Sequence, residues 1–130
     1  MVADTSALFS ALTDDGSSGV LARDALRAHD VHAPALVDVE FLQTIRRKVL
    51  AGIWSVDAGR AALDQLVAFP LQRHDHLLLL RRCWELRDSV SAYDAQYVAL
   101  AELLGAVLVT ADVRLSRAPG LRCEVRVLTA

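Results

Sequence analysis

Apolar positions along this chain follow two rhythms, which separate short buried strands from longer amphipathic helices. Met1-Val2-Ala3 is a minimal apolar run and predicts a first strand, after which Thr5 or Ser6 caps a short helix through Leu8 and Phe9. The run is brief for a central strand, which predicts a residue or two upstream of this start. Thr13 to Gly19 is polar and glycine-rich and reads as a loop. A helix carrying Val20, Leu21, Ala25 and Leu26 follows, with its end expected at His29-Asp30. Val31-His32-Ala33 predicts a second strand, and Pro34 suits the first turn of a helix that carries Leu36, Val37, Phe41, Ile45, Val49 and Leu50. Gly52 breaks that helix, Ser55 caps another through Leu66 and Val67, and Pro70 ends it ahead of an edge strand at Leu71-Gln72-Arg73.

His76 to Leu86 reads as one helix, with Leu77, Leu80, Trp84 and Arg87 on repeating turns. The next stretch organises the chain. Ser91 caps a helix with Asp94 three residues on, and a stripe runs from Asp94 through Tyr97 or Val98 and Ala101 to Leu104, over the core. Gly105 supplies a left-handed stop, and Ala106 to Val109 is an all-apolar strand of the kind covered on both faces. Leu115-Ser116 forms a brief turn or helix, Ala118-Pro119-Gly120 a loop, and Val125 to Leu128 a last strand. Alternating strands and helices at this length predict a single domain over residues 1–130. Its class is α/β, three layers α/β/α around a central parallel sheet of four to five short strands.

Composition narrows the function classes. The 130 residues are 54% hydrophobic with a mean hydropathy of +0.32, spread over short amphipathic segments. No run reaches the roughly 18 to 20 apolar residues of a membrane span, which predicts a soluble, cytoplasmic protein. Cys83 and Cys123 are too few for a disulfide framework, and Cys83 sits in a helical pattern that predicts a buried free thiol. A net charge of −2 excludes nucleic-acid binding by bulk electrostatics and allows local binding through a metal and a few arginines. Lys48 is the only lysine; the arginine excess offers bidentate phosphate contacts, or simply reflects a GC-rich coding bias.

The chemistry lies in carboxylates. Asp4 follows the first strand, Glu40 sits early in a helix, Asp94 starts a helix, and Asp112 follows a strand. Both strand-end acids fall outside the carboxyl ends of the sheet, where open α/β sheets bind ligands. Like charges gathered there repel unless a cation joins them, so the cluster predicts a hard divalent ion, Mg²⁺ with Mn²⁺ able to substitute. Each acid also has a plain structural explanation. Asp94 is explained as a capping partner, Glu40 as a complement to its helix dipole, and Asp4 and Asp112 as turn residues. Asp38 is the rival to Glu40. Ser6 either orders a water or caps its helix. The histidines lack zinc spacing, and the glycines form no nucleotide-binding fingerprint, so no nucleotide cofactor is expected.

Ala3-Asp4-Thr5-Ser6-Ala7-Leu8 resembles the first motif of PIN-domain nucleases. Ala33 to Glu40 with Arg46-Arg47 resembles the second, Arg82 to Arg87 with Ser91 to Ala95 the third, and Leu108 to Asp112 the fourth. The set is most similar to the VapC toxins of bacterial toxin–antitoxin pairs. The resemblance implies a Mg²⁺- or Mn²⁺-dependent endoribonuclease that acts as a homodimer and is held inactive by a VapB-type antitoxin. It implies Asp4, Glu40, Asp94 and Asp112 as the catalytic, metal-holding cluster, favours Glu40 over Asp38, and makes Ser6 and Thr110 secondary site residues. Where some relatives carry a further acid after the fourth motif this chain has Val113, Arg114 and Leu115, which implies a second metal weakly held or absent.

The expected reaction is hydrolysis of an RNA phosphodiester by a metal-activated water, with Arg46, Arg47 or Arg87 as candidate phosphate contacts. Two alternatives stand beside it. A phosphotransferase using Asp4 as nucleophile needs a second acid two residues on, where Ser6 stands. A catalytically silent binding module has no need of all four acids.

Overall fold

The computed structural model describes residues 1–27 and 29–129. Five parallel strands form one sheet: β1 (Val2–Ala3), β2 (Val31–Pro34), β3 (Leu71–His74), β4 (Leu108–Thr110) and β5 (Val125–Val127), in the order β3-β2-β1-β4-β5. The chain winds outward from β1 to β3, then crosses back to place β4 on the other side of β1. The order therefore reverses between β1 and β4, and a crevice opens at their carboxyl ends. The helices are α1 (Thr5–Thr13), α2 (Ser17–Leu26), α3 (Leu36–Leu50), α4 (Val56–Ala68), α5 (Leu80–Glu85), α6 (Ala92–Leu104) and α7 (Val113–Ser116). This is the three-layer α/β/α architecture expected, with the sheet at the upper end of the predicted strand number.

The core is the sheet and the inward stripes of its helices. Val2, Ala3, Leu108 and Val109 have no exposed surface, as their all-apolar runs require. Against them lie Val37, Phe41 and Ile45 of α3 and a nearly continuous buried run from Ala95 to Ala101 on α6. That run, Gln96 included, makes α6 the most deeply buried helix of the fold, covered on all sides in its middle turns.

Several boundaries depart from expectation for local reasons. Pro34 ends β2 rather than opening α3; β2 faces β1 only at the Val2–His32 pair, so its missing N–H interrupts no ladder. β4 begins at Leu108 because Ala106 is used in leaving α6. Its N–H reaches back 2.9 Å to the Ala101 carbonyl while Gly105 takes φ +61°. The expected helix from His76 opens as a 3₁₀ turn (Leu77–Leu79) and becomes α-helical only at Leu80. Its buried stripe is Leu79, Cys83 and Leu86, leaving Leu77 and Trp84 exposed. On α6 the stripe leaves the core at Leu104, which is also exposed. α2 buries Gly19, Ala22 and Leu26 rather than Val20 and Leu21, and it ends at Leu26. The expected extension to His29 crosses residue 28, outside the described residues. Cys83 is a buried free thiol, as its helical position predicted.

Small residues set the helix spacing. A Cβ on Gly19 would lie 1.7 Å from the Asp14 carbonyl oxygen, so only glycine lets the start of α2 meet the end of α1. Gly105, by contrast, is left-handed with open space around it. Gly19→Ala is expected to cost roughly 2 kcal/mol or more through overpacking, and Gly105→Ala about 1 kcal/mol through its backbone conformation. Urea denaturation checks the ranking, and an unaffected Gly19→Ala would remove the close contact from the account.

Candidate active site

β1 ends at Ala3, and the next residue turns the chain into α1. Asp4 caps that helix, its Oδ1 accepting from the Ala7 N–H at 3.0 Å and from the Ser6 hydroxyl at 2.6 Å. Parallel pairing of Ala3 with Val109 brings Thr110 alongside, and the Thr110 hydroxyl donates to Asp4 Oδ2. Ser6 Oγ also accepts the Ala111 N–H at 2.9 Å, and Thr110 Oγ1 accepts the Asp112 N–H at 2.9 Å. Two hydroxyls thus tie the exit of β4 to the exit of β1 through one carboxylate. Burial holds the Asp4 carboxyl above its ordinary range despite these donors, and the charge of Asp94 adds to the rise.

Asp94 lies in the first turn of α6, its N–H donating to the Ser91 hydroxyl at 3.1 Å. Among the described residues no bond returns from the Ser91 N–H to its carboxylate, so the reciprocal half of a capping box is not made. Burial raises the Asp94 pKa, and the charges of Asp112 and then Glu40 raise it further; Arg114 and the Ser91 hydroxyl oppose the rise. The three carboxylates therefore share one field. Asp112 caps the short α7 and is held by Arg114, whose Nε and Nη2 lie 3.3 Å from its two oxygens. That hydrogen bonding keeps the Asp112 carboxyl below its usual range.

Glu40 is anchored by residues that the sequence did not single out for the site. Its Oε1 accepts from the Thr5 hydroxyl at 2.9 Å and from the Tyr97 hydroxyl at 2.5 Å, and the two hydroxyls are 2.8 Å apart. Tyr97 is buried, and burial followed by the bond to Glu40 pushes its phenol well above the ordinary value. The available signal was its place one turn beyond Asp94 on the same face of α6. Asp38 turns elsewhere: Arg73 on β3 binds it through two bonds of 2.7 and 3.0 Å.

The remaining candidates separate by position. Arg47 lines a cleft between α1 and α3 that shares Thr5, Ser6 and Glu40 with the cluster. Arg46 is exposed on the same helix, and Arg87 lies over the Trp84 ring at 4.7 Å; neither lines that cleft. Three of the four histidines serve the framework. His76 accepts the Leu36 N–H at 3.1 Å and pairs with Gln96 at 2.9 Å, while His32 meets His74 at 2.8 Å.

The donor set contains only oxygen, which fits a hard ion such as Mg²⁺ or Mn²⁺. Among the described residues no three His, Cys, Asp or Glu side chains form a ready-made ligand group. Asp4 and Asp112 are engaged by their own neighbours instead. Mg²⁺ keeps several waters and is commonly held by one or two carboxylates together with substrate phosphates, so three direct side-chain contacts are not a requirement.

Fold and site together define an α/β/α domain with carboxylates that feel one another's charge at the carboxyl ends of its first and fourth strands. The PIN domain family matches residues 1–121. Ribonuclease VapC1 of Mycobacterium tuberculosis is 41% identical over 128 residues, covering 98% of this chain and 96% of that protein. The chain belongs to the PIN-domain family, among its VapC-type members. Two solved structures share the fold. VapC20 of Mycobacterium tuberculosis, described as a Sarcin-Ricin loop cleaving toxin, has a TM-score of 0.69 at 17% identity and covers 89% of this chain and 92% of its own. VapBC2 from Rickettsia felis, bound to a DNA fragment from its promoter, has a TM-score of 0.67 at 17% identity and covers 96% and 98%.

A pKa raised by folding means that the ionised carboxylate is penalised in the folded state. For Asp94 this penalty is absent below the ordinary carboxylate range and complete above the raised value. In the presence of chelator, Asp94→Asn is expected to melt above the parent protein at neutral pH, with the gap closing as pH falls through that range. Differential scanning calorimetry across pH checks this, and a gap that widens on acidification would contradict it.

Proposed function

We propose that the protein is a metal-dependent endoribonuclease and the toxin of a VapB–VapC-type pair. The observation that supports this reading is a VapC-type PIN domain in which Asp94 feels the charges of Asp112 and Glu40 and its own charge bears on Asp4. Asp4, Asp94 and Asp112 would hold Mg²⁺, or Mn²⁺ in its place, directly or through water. When bound, the ion supplies a Lewis acid for the phosphoryl oxygens and acidifies water near neutral pH. The chain's own groups do the rest. Thr5 and Tyr97 fix Oε1 of Glu40, which leaves Oε2 to orient the attacking water or accept its proton. Ser6 and Thr110 give hydrogen bonds to the charged form of Asp4, offsetting part of the cost of its burial. Arg47 is the arginine placed to engage RNA phosphate from the cleft wall.

A net charge of −2 favours a locally recognised, looped RNA over indiscriminate binding. The described activity of VapC20 on the sarcin-ricin loop supports the same substrate class. A VapB-type antitoxin partner is supported by the likeness to VapBC2 from Rickettsia felis. Homodimer formation is supported by exposed Leu77, Leu78, Leu80 and Trp84 in and before α5. No helix among the described residues is long and apolar enough to cross a membrane; a cytoplasmic site of action is part of the proposal.

Incubation with a structured RNA and Mn²⁺ is expected to give discrete fragments that disappear with chelator and with Asp94→Asn, while Glu40→Gln slows cleavage about 100-fold. Cleavage that survives chelator or Asp94→Asn would defeat the metal-nuclease reading. Light scattering is expected to give twice the chain mass for the isolated protein, with Leu78→Asp shifting it toward the monomer; a monomer mass for the parent protein would remove the dimer.

A further inference from the structure

The cleft between α1 and α3 has a volume of about 760 Å³, within the range of small-molecule sites. One wall is shared with the acid cluster through Glu40. Arg47 is seven residues further along α3, two turns or about 10 Å away. Among the described residues no carboxylate pairs with Arg47. Between these ends the lining is mixed. Phe9 is apolar, and its ring is fixed by Phe41 at 4.9 Å and a stacked Trp54 at 5.5 Å. Ser10 and Gln43 offer hydrogen-bonding groups, and Tyr93, directly before Asp94, has 61% of its surface exposed.

A fitting occupant has a flat apolar face, hydrogen-bonding edges, and a negative charge displaced from the acid cluster by about two helical turns. A purely apolar peptide would leave Arg47 and Gln43 unused. A nucleotide has all three features, provided that its base is not already paired, because a paired base hides its edge and both its faces.

Resting on the ribonuclease reading, we propose that the α1–α3 cleft is the subsite for the unpaired nucleotide beside the bond that is cut. Tyr93 is its stacking face, Gln43 reads the base edge, and Arg47 contacts the adjoining phosphate. The cleft thereby selects single-stranded loops, while the acid cluster cuts whatever phosphate the seated nucleotide presents.

The test uses short fluorescent RNA hairpins with each of the four bases at the loop position flanking the cut, bound to the Asp94→Asn protein in Mg²⁺. Tyr93→Ala is expected to weaken binding roughly 10-fold, with Tyr93→Trp restoring it. Arg47→Gln is expected to weaken binding of all four hairpins alike and reduce the salt dependence by about one phosphate contact. In the otherwise unchanged protein, Gln43→Ala is expected to redistribute the bases found beside the cut when fragment ends are sequenced. Parent-like affinity, salt dependence and cut-site distribution in all three variants, in a protein that does cleave RNA, overturn the subsite alone. So does a loss confined to the affinity for a purified VapB-type antitoxin, which would give the cleft to a protein partner. A parent protein that neither binds nor cuts these RNAs overturns the ribonuclease reading and the subsite with it.

Discussion

A single buried carboxylate joins the two strands between which the strand order reverses. Asp4 receives the Ser6 and Thr110 hydroxyls on its separate oxygens, and those hydroxyls in turn accept the N–H groups of Ala111 and Asp112. With β1 only two residues long, backbone pairing alone specifies little of the geometry beyond it. The side-chain lock extends the alignment of β1 and β4 past the last ladder bond, into the turn that sets Asp112. The carboxylate at the centre of the candidate site therefore also holds the crevice together. Its burial disfavours ionisation while three donors favour it, and that balance is characteristic of a site prepared for a charge.

Around that lock, like charges are arranged at graded cost. Asp94 feels Asp112 and Glu40, and Asp112 is offset by Arg114 on the following turn. Glu40 is steadied by two hydroxyls rather than by a cation. The anchors come from different helices: Thr5 from α1, Tyr97 from α6, with Glu40 itself on α3. Side chains from three helices are thus joined through one polar triangle, with the buried phenol of Tyr97 bonded directly to the Glu40 carboxylate.

Much of this was legible in the order of residues because the decisive signals are local. Ser91, Asp94 and Gly105 mark the ends of α6 by capping chemistry, and the apolar runs at Val2 and Val109 have no use outside a covered strand. Asp4 and Asp112 could be placed by following each strand to its end. Tertiary contacts were harder to read. Nothing near Asp38 in the sequence announces Arg73, thirty-five residues away, and that pair is what separates Asp38 from Glu40. Tyr97 was visible as a core residue but not as a hydrogen-bond donor, because its partner lies on another helix. The missed starts of α3 and β4 are shifts of a residue or two, set by pairing with β3 and by the wrapped exit of α6.

The Phe9–Trp54 stack has a practical consequence. Phe9 faces the cleft, and Trp54 lies against it, half-buried, with the Lys48 ammonium 5.4 Å from the indole ring. The other indole, Trp84, is largely solvent-facing beneath Arg87. The molecule thus carries two intrinsic fluorophores in unlike surroundings, one coupled to the cleft through a single ring and the other to the far surface. The first indole is thus one ring contact away from anything that settles against Phe9, a built-in optical probe with no extrinsic dye attached.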